Sequence, residues 1–336
     1  MRNFVASCVI ACVATQKRLP HRQKPSVMNS VKIFACSASL YLAEKIAHSY
    51  GKPLGKMTLQ RFSDGEMSPS FDESIRGADV YIIQSTFPPA DNLMELLLLI
   101  DSAKRASAGS VTVVMPYFGY ARQDRKDKPR VGIGAKLVAN LLSAAGASRL
   151  MTCDLHAGQI QGFFDIPVDH LYASAILFPY IASLKLDNLV FAAPDVGGVA
   201  RARAYAAHFQ AHMVVCDKHR KRANEIASMQ VIGDVEGANV VIVDDLVDTA
   251  GTICKAAEVL LERGAVSVRG MVTHPVLSGK AYENINNSVL EELVVSDTIP
   301  LKQESAKIKV LSVADLFAKA IRKIHDQESI STLFIS

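Results

Sequence analysis

The sequence predicts an α/β protein built as two similar halves, each a mainly parallel sheet flanked by helices. Short β-branched runs alternate with helical patterns from residue 31 onward, the signal for repeated strand–helix–strand units. The stretch 78–85, Ala-Asp-Val-Tyr-Ile-Ile-Gln-Ser, is echoed at 238–245 by Ala-Asn-Val-Val-Ile-Val-Asp-Asp. Each copy leads into a loop, an apolar helix and a further hydrophobic strand, which points to one fold used twice. The chain's 336 residues suffice for two domains of ordinary size, each with its own core.

Patterned sequence begins only at Val31. Before it, an apolar run over 4–14 is too short to span a bilayer, and 16–24 is basic without an acid. Residues 1–29 are therefore expected to stand outside the fold, as a disordered tail, a targeting segment or a start assigned upstream of the true one. In the first half, strands are expected over 31–34, 80–83, 111–115 and 149–152, and helices over 39–50, 92–106 and 134–145. In the second, strands fit 189–192, 213–216, 240–243 and 268–272, with helices at 198–211 and 252–263.

Hydrophobic residues make up 49% of the chain and charged residues 21%, the balance of a globular protein rather than a disordered one. A net charge of +4 is too small to argue for nucleic acid, so any basic groups that matter must be local clusters. The six cysteines include no CxxC pair and no zinc-finger spacing, which reads as reduced thiols of a cytoplasmic protein.

The run 240–252, Val-Val-Ile-Val-Asp-Asp-Leu-Val-Asp-Thr-Ala-Gly-Thr, carries the most chemistry. An apolar strand closes on Asp244 and Asp245. A loop of small residues, Asp248, Thr249, Ala250, Gly251 and Thr252, then enters a helix. Successive amides at a helix start, with threonine hydroxyls beside them, cradle a phosphate dianion, and Gly251 allows close backbone approach. The adjacent acids suit sugar hydroxyls or hydrated Mg2+. A plain helix cap at Asp248 or Thr249 would account for one polar residue, not for two acids closing an apolar strand.

Four further stretches stand out. Asp154 and His156 follow the strand 149–152 and, two apart in extended chain, are expected to project to one side, where a divalent ion could sit. Phe62 lies beside Asp64, Gly65 and Glu66 in a turn suited to stacking a purine and accepting from its amino group, with a plain surface hairpin as the alternative. Arg122 and Gln123 belong to a charged run over 120–127 that suits either an anionic ligand or solvent. Lys218, His219, Arg220, Lys221 and Arg222 follow the strand 213–216 directly. Such crowded charge suggests a mobile loop able to fold over polyphosphate.

Taken together, these blocks resemble the phosphate-activated class of phosphoribosyl diphosphate (PRPP) synthetases. The run 240–252 is similar to the PRPP-binding motif that the class shares with phosphoribosyltransferases. The run 154–169, the turn 61–66, the stretch 120–127 and the basic segment match in order, and the resemblance extends from residue 31 to the end. It implies two tandem phosphoribosyltransferase-like domains, at 30–170 and 171–316, with a C-terminal helix and tail at 317–336 and the extension at 1–29.

The resemblance also implies the activity: transfer of the diphosphoryl group of Mg-ATP to the C1 hydroxyl of ribose 5-phosphate. It assigns Mg2+ to His156 and Asp195, and catalysis to Lys218 and Arg220, with Arg220 also facing ribose 5-phosphate. The sugar phosphate falls to Asp244, Asp245 and 248–252. Phe62, Asp64, Gly65 and Glu66 go to ATP across a dimer interface, and Arg122 and Gln123 to ATP in the partner's active site. Phosphate and ADP are implied as regulators, and a homohexamer built from dimers as the assembly, with neither nucleic acid nor membrane as partner.

The sequence departs from the family pattern at Val199-Ala200-Arg201, where a lysine is usual; loss of that cation is expected to weaken phosphate or nucleotide contact unless Arg203 compensates. Gly158 and His170 replace the more usual Ser and Asn near the implied regulatory site. Two rival readings are a phosphoribosyltransferase that consumes PRPP and a catalytically inactive synthetase-associated subunit. The first-half blocks argue against the former, and intact Lys218, Arg220 and His156 against the latter.

Overall fold

The computed structural model describes residues 29–222 and 225–333, with backbone alone over 218–222 and 225–228. The extension 1–28 lies outside the described residues.

In the first half the chain forms β1 (Val31–Ala35), α1 (Leu40–Tyr50), a hairpin of β2 (Met57–Arg61) and β3 (Met67–Phe71), and β4 (Asp79–Ile83). It continues through α2 (Asp91–Arg105), β5 (Ser110–Met115), α3 (Gly134–Ala145), β6 (Arg149–Cys153) and β7 (Val168–Leu171). After α4 (Ser174–Ser183) come β8 (Leu189–Ala193), α5 (Val199–Phe209), the hairpin β9 (His212–Arg222) and β10 (Glu225–Ile232), and β11 (Asn239–Val247). Then follow α6 (Gly251–Glu262), β12 (Ser267–Pro275), α7 (Ala281–Asn287), β13 (Leu293–Ser296), β14 (Ile308–Leu311) and α8 (Ala314–His325).

Strand, helix, hairpin, then strand–helix–strand–helix–strand–strand: the second half repeats the element order of the first. The first sheet runs β1-β4-β5-β6-β7, all parallel. The second runs β10-β9-β8-β11-β12-β13-β14, parallel except for the β9–β10 pair. A side-chain bond marks the equivalence. Ser110 Oγ donates to Asp79 Oδ1 across the β4–β5 pair at 2.8 Å, and Ser267 Oγ to Asn239 Oδ1 across β11–β12 at 2.6 Å. The halves differ in their hairpins: β9–β10 extends the sheet from β8, whereas β2 and β3 form a two-stranded sheet of their own.

Each sheet has an outer core, one including Ile82, Leu96 and Leu99, the other Ile242, Ala256 and Leu260. A third core is shared between the halves. Leu42 and Ile46 of α1, Phe178 and Ile181 of α4, Phe191 of β8, and Phe317 and Ile321 of α8 all lie in it. Helix α8 leaves the second half and packs on α1 of the first. Ser49 Oγ donates to Asp315 Oδ1 at 2.6 Å, and the Arg322 guanidinium to the Tyr50 carbonyl at 2.6 Å. Burying the apolar face of a helix against the other half, at roughly 25 cal/mol per Å2, makes the relative placement of the sheets a property of the core rather than of a linker.

Two strands outrun the sequence expectation, and both bear on function. Strand β9 does not stop at Cys216. Its backbone continues through the basic segment to Arg222, paired with β10 at Lys218↔Met229 and Arg220↔Ile226, where a loop was expected. Strand β11 runs to Val247, so Asp244 and Asp245 lie inside it.

Candidate functional site

Beyond Ile242, β11 has a strand neighbour on one side only. Its pairing with β8 ends at Ile242↔Ala192, whereas β12 accompanies it to Val247↔Pro275. The two acids thus stand in strand backbone with an open edge, at the carboxyl end of a parallel sheet where ligands bind in such folds. Beside that edge β8 turns into a short 3-10 segment, Val196–Gly198, capped by Asp195, whose carboxylate accepts from the Gly198 amide at 3.3 Å.

Asp244 Oδ1 accepts from the Asp245 amide at 2.9 Å. Burial, then the neighbouring Asp245 carboxylate, pushes Asp244 well above the usual carboxylate range. Burial acts on Asp245 in the same sense, but the His156 hydrogen bond and the Arg201 charge more than offset it and hold Asp245 at about 2. The two neighbouring acids are thus pushed in opposite directions, Asp245 toward the anion and Asp244 toward the neutral carboxyl.

The loop after β11 leaves the start of α6 without a side-chain cap. The cap position falls on Ala250, not on Asp248 or Thr249, in a left-handed backbone (φ 62°) that disfavours any residue with a Cβ. Asp248 instead accepts from Ser278 Oγ, and Asn284 Nδ2 donates to the Thr249 carbonyl at 2.9 Å. The loop is held from its far side while the first amides of a 12-residue helix point outward. A Cβ built on Gly251 would meet nothing nearer than Thr249 Oγ1 at 3.9 Å, so the approach to these amides is open.

The first half supplies the opposite wall. Arg122, in the loop after β5, donates to Asp248 Oδ2 at 2.7 Å. The resemblance assigned Arg122 to ATP in a partner's active site; within its own chain it pairs with the loop that leads into α6. The Gln123 carbonyl accepts from the Ala135 amide at 3.2 Å, tying this loop to the start of α3. Tyr117, Phe118, Leu155 and Leu246 line the floor of the cleft.

His156 follows β6 and places Nδ1 2.8 Å from Asp245 Oδ2. That hydrogen bond raises His156 above its ordinary pKa against the opposing pull of burial. Asp154 does not project beside it as the two-residue spacing suggested. With φ at 39°, Asp154 breaks the extended alternation and turns inward. It is 3% exposed and accepts from Thr273 Oγ1 at 2.5 Å and from the Ala173 amide at 3.2 Å. Arg201 lies between these acids, 3.5 Å from Asp154 and 3.8 Å from Asp245. The Arg203 expectation is corrected: two positions on along α5, Arg203 is exposed on another face while Arg201 faces the cleft.

Phe62, Asp64, Gly65 and Glu66 form the β2–β3 turn, with Phe62 48% exposed. The bonds of this turn are internal: the Phe62 amide donates to the Glu66 carbonyl at 2.9 Å, and the Glu66 amide to Asp64 Oδ1 at 3.0 Å. Gly65, at φ 97°, occupies the left-handed position. The turn is not joined to the cleft by these bonds. The side chains of Lys218 and Arg220 lie outside the described residues.

Sequence reasoning overlooked Thr273, His274, Ser278 and Asn284. His274 Nε2 lies 3.2 Å from the carbonyls of Cys153 and Asp154, and its Nδ1 2.9 Å from Thr298 Oγ1, so β12 is stitched to the end of β6. A signal existed: Thr273-His274 follows the expected strand 268–272 just as Asp244-Asp245 follows 240–243.

A family profile described as the N-terminal domain of ribose phosphate pyrophosphokinase matches residues 31–146, and one described as the phosphoribosyl synthetase-associated domain matches 201–335. Ribose-phosphate pyrophosphokinases from Porphyromonas gingivalis and Campylobacter jejuni are 57% and 56% identical to the chain. These alignments cover 91% and 92% of the chain and 98% and 100% of those proteins. The crystal structure of phosphoribosylpyrophosphate synthetase from Mycobacterium smegmatis superposes with a TM-score of 0.84 at 37% identity, over 89% of this chain and 100% of that one.

Proposed function

The chain belongs to the ribose-phosphate pyrophosphokinase family, and on that footing we propose how its cleft performs the reaction. The activity is transfer of the diphosphoryl group of ATP to the C1 hydroxyl of ribose 5-phosphate, giving PRPP and AMP. One observation carries the assignment of the cleft. An uncapped helix start beside two strand-end acids in the second half is met by Arg122 and His156 from the first.

The open amides of 250–252 and the hydroxyls of Thr249 and Thr252 hold the 5-phosphate. Asp245, an anion, accepts from one ribose hydroxyl, and Asp244 orients its neighbour. Arg122 and Gln123 contact the polyphosphate of ATP. The C1 oxygen attacks the β-phosphorus in line and AMP leaves, with Lys218 and Arg220 balancing charge on the transferred group. No protein nucleophile is needed, since positioning and preorganised charge carry phosphoryl transfer.

Mg2+ suits the donors present. Among the described residues no cluster of three or more His, Cys, Asp or Glu makes a ready cage. An ion that keeps its waters and takes substrate phosphate oxygens needs only one or two protein donors. His156 and Asp195 would hold it. In the neutral ring, Nδ1–H donates to Asp245 and leaves the Nε2 lone pair free, the arrangement usual for a metal-bound imidazole. When bound, Mg2+ would neutralise the phosphates.

The half-exposed Phe62 turn, apart from its own cleft, suits an adenine site completed across a dimer contact, with Asp64, Gly65 and Glu66 beside the base. A homohexamer of such dimers in the cytoplasm, activated by phosphate and inhibited by ADP, is the fuller reading. Among the described residues no helix is long and apolar enough to cross a membrane.

Incubating the purified chain with ribose 5-phosphate, Mg-ATP and phosphate should release AMP and PRPP in equal amounts. Absence of AMP, or ADP in its place, would reject the reading.

A further inference from the structure

Arg201 sits where the two halves meet and has no role in the reaction as derived above. Its guanidinium lies 3.5 Å from Asp154 Oδ1, an acid of the first half, and 3.8 Å from Asp245 Oδ1, the ribose-facing acid of the second. Side-chain exposures are 21% for Arg201, 3% for Asp154 and 10% for Asp245, so water screens the cluster weakly. The other oxygen of each acid is occupied. Asp154 Oδ2 accepts from Thr273 Oγ1 at 2.5 Å and the Ala173 amide at 3.2 Å, and Asp245 Oδ2 faces His156 Nδ1 at 2.8 Å.

The Arg201 guanidinium is set between carboxylates of the two halves, and its 21% exposure turns it toward them more than toward solvent. Its planar fork can fix the distance between the acids, which an ammonium, a point charge on a flexible stem, cannot do. We infer that Arg201 is a positioning residue for ribose 5-phosphate. It locks the Asp245 carboxylate to Asp154 of the other half, so that the ribose-hydroxyl acceptor takes its working orientation only when the two halves are docked. The inference rests on the proposed role of Asp245 as that acceptor.

Arg201 acts through Asp245 and touches no reacting atom. Its removal should therefore act on ribose 5-phosphate and spare the nucleotide. His156 cannot replace it: it holds the opposite carboxylate oxygen, and its own ring is directed to the Mg2+ site. Nor can Arg203, which is exposed on another face of α5.

The test compares the full chain with Arg201→Lys, Arg201→Gln and Asp154→Asn, using calorimetric titration of ribose 5-phosphate, steady-state KM for both substrates, and the thermal midpoint. Arg201→Gln should weaken ribose 5-phosphate binding and raise its KM at least tenfold, with KM for ATP changed less than twofold. Arg201→Lys should recover part of that loss. Asp154→Asn, which leaves Arg201 anchored at one end, should raise the same KM several-fold. Equal shifts in both KM values, or a lowered midpoint with no change in ribose 5-phosphate binding, would show a merely structural role and overturn the inference. So would Arg201→Lys binding like wild type. An Asp245→Asn chain that bound ribose 5-phosphate as tightly as wild type would instead remove the premise about Asp245.

Discussion

The guanidinium of Arg122, from the first half, donates to the carboxylate of Asp248, from the second, at 2.7 Å. An ion pair half open to solvent adds little to stability, about 0–1 kcal/mol. On the proposed reading of the cleft, Arg122 has a larger part in binding. Arg122→Ala should raise KM for ATP at least tenfold, about 1.4 kcal/mol, while moving the thermal midpoint by no more than about 2 °C. Steady-state kinetics with a melting curve checks this; a large loss of stability with unchanged KM would remove Arg122 from the site.

Lys218 follows from the mechanism alone. Deleting a cation that acts in the transition state costs several kcal/mol, on the order of a thousand-fold in rate. Lys218→Ala should lower kcat by that order and leave ATP affinity nearly intact. Equal losses in both would contradict the assignment.

Gly251 separates binding from folding. A Cβ there meets only Thr249 Oγ1 at 3.9 Å, so Gly251→Ala should fold with an unchanged midpoint. The added methyl intrudes where the phosphate approaches the amides. We expect ribose 5-phosphate affinity to fall about tenfold or more by calorimetry, roughly 1.4 kcal/mol.

The His156–Asp245 pair has a defined pH window in the ligand-free protein. His156 has a raised folded pKa, so its contribution is full below the unfolded value, about 6.5, and fades as pH rises through the folded one. Asp245 is depressed to about 2, so its contribution is present above the unfolded value and lost as pH falls toward 2. His156→Asn should therefore destabilise more at about pH 5.5 than at about pH 8.5, by less than about 1 kcal/mol because the histidine is partly exposed. Urea titration at the two pH values measures the difference; an equal loss at both would exclude an ionic contribution.

Asp244 predicts a trade between stability and function. Its carboxyl is driven upward by burial and by Asp245, so its ionised form is a liability in the empty cleft. Asp244→Asn should raise the thermal midpoint, by about 2–4 °C if roughly 1 kcal/mol is relieved, and weaken ribose 5-phosphate binding. A lower midpoint would contradict the electrostatics.

Chain-local pattern carried much of this protein. The alternation of apolar runs, the echo of 78–85 at 238–245 and the Asp244–Thr252 segment were legible because strand and helix periodicity, turn chemistry and helix starts are set by neighbours in sequence. Where local geometry departs from its average, pattern failed. The positive φ of Asp154 turned an expected partner of His156 into a buried anchor, and the acids proved to stand within β11 because β12 accompanies them after β8 has stopped.

What sequence could not fix was which side chains meet across the cleft. Arg122 with Asp248, His156 with Asp245, and Arg201 between Asp154 and Asp245 are separated by about 40 to 130 positions and carry no shared periodicity. They meet because the shared core, with α8 packed on α1, holds the carboxyl ends of two sheets face to face. Periodicity and turn chemistry determined the two halves and the small-residue loop before α6; the burial of apolar surface between those halves decided the pairings, since an ion pair of a few ångströms exists only once the surrounding core has set the distance.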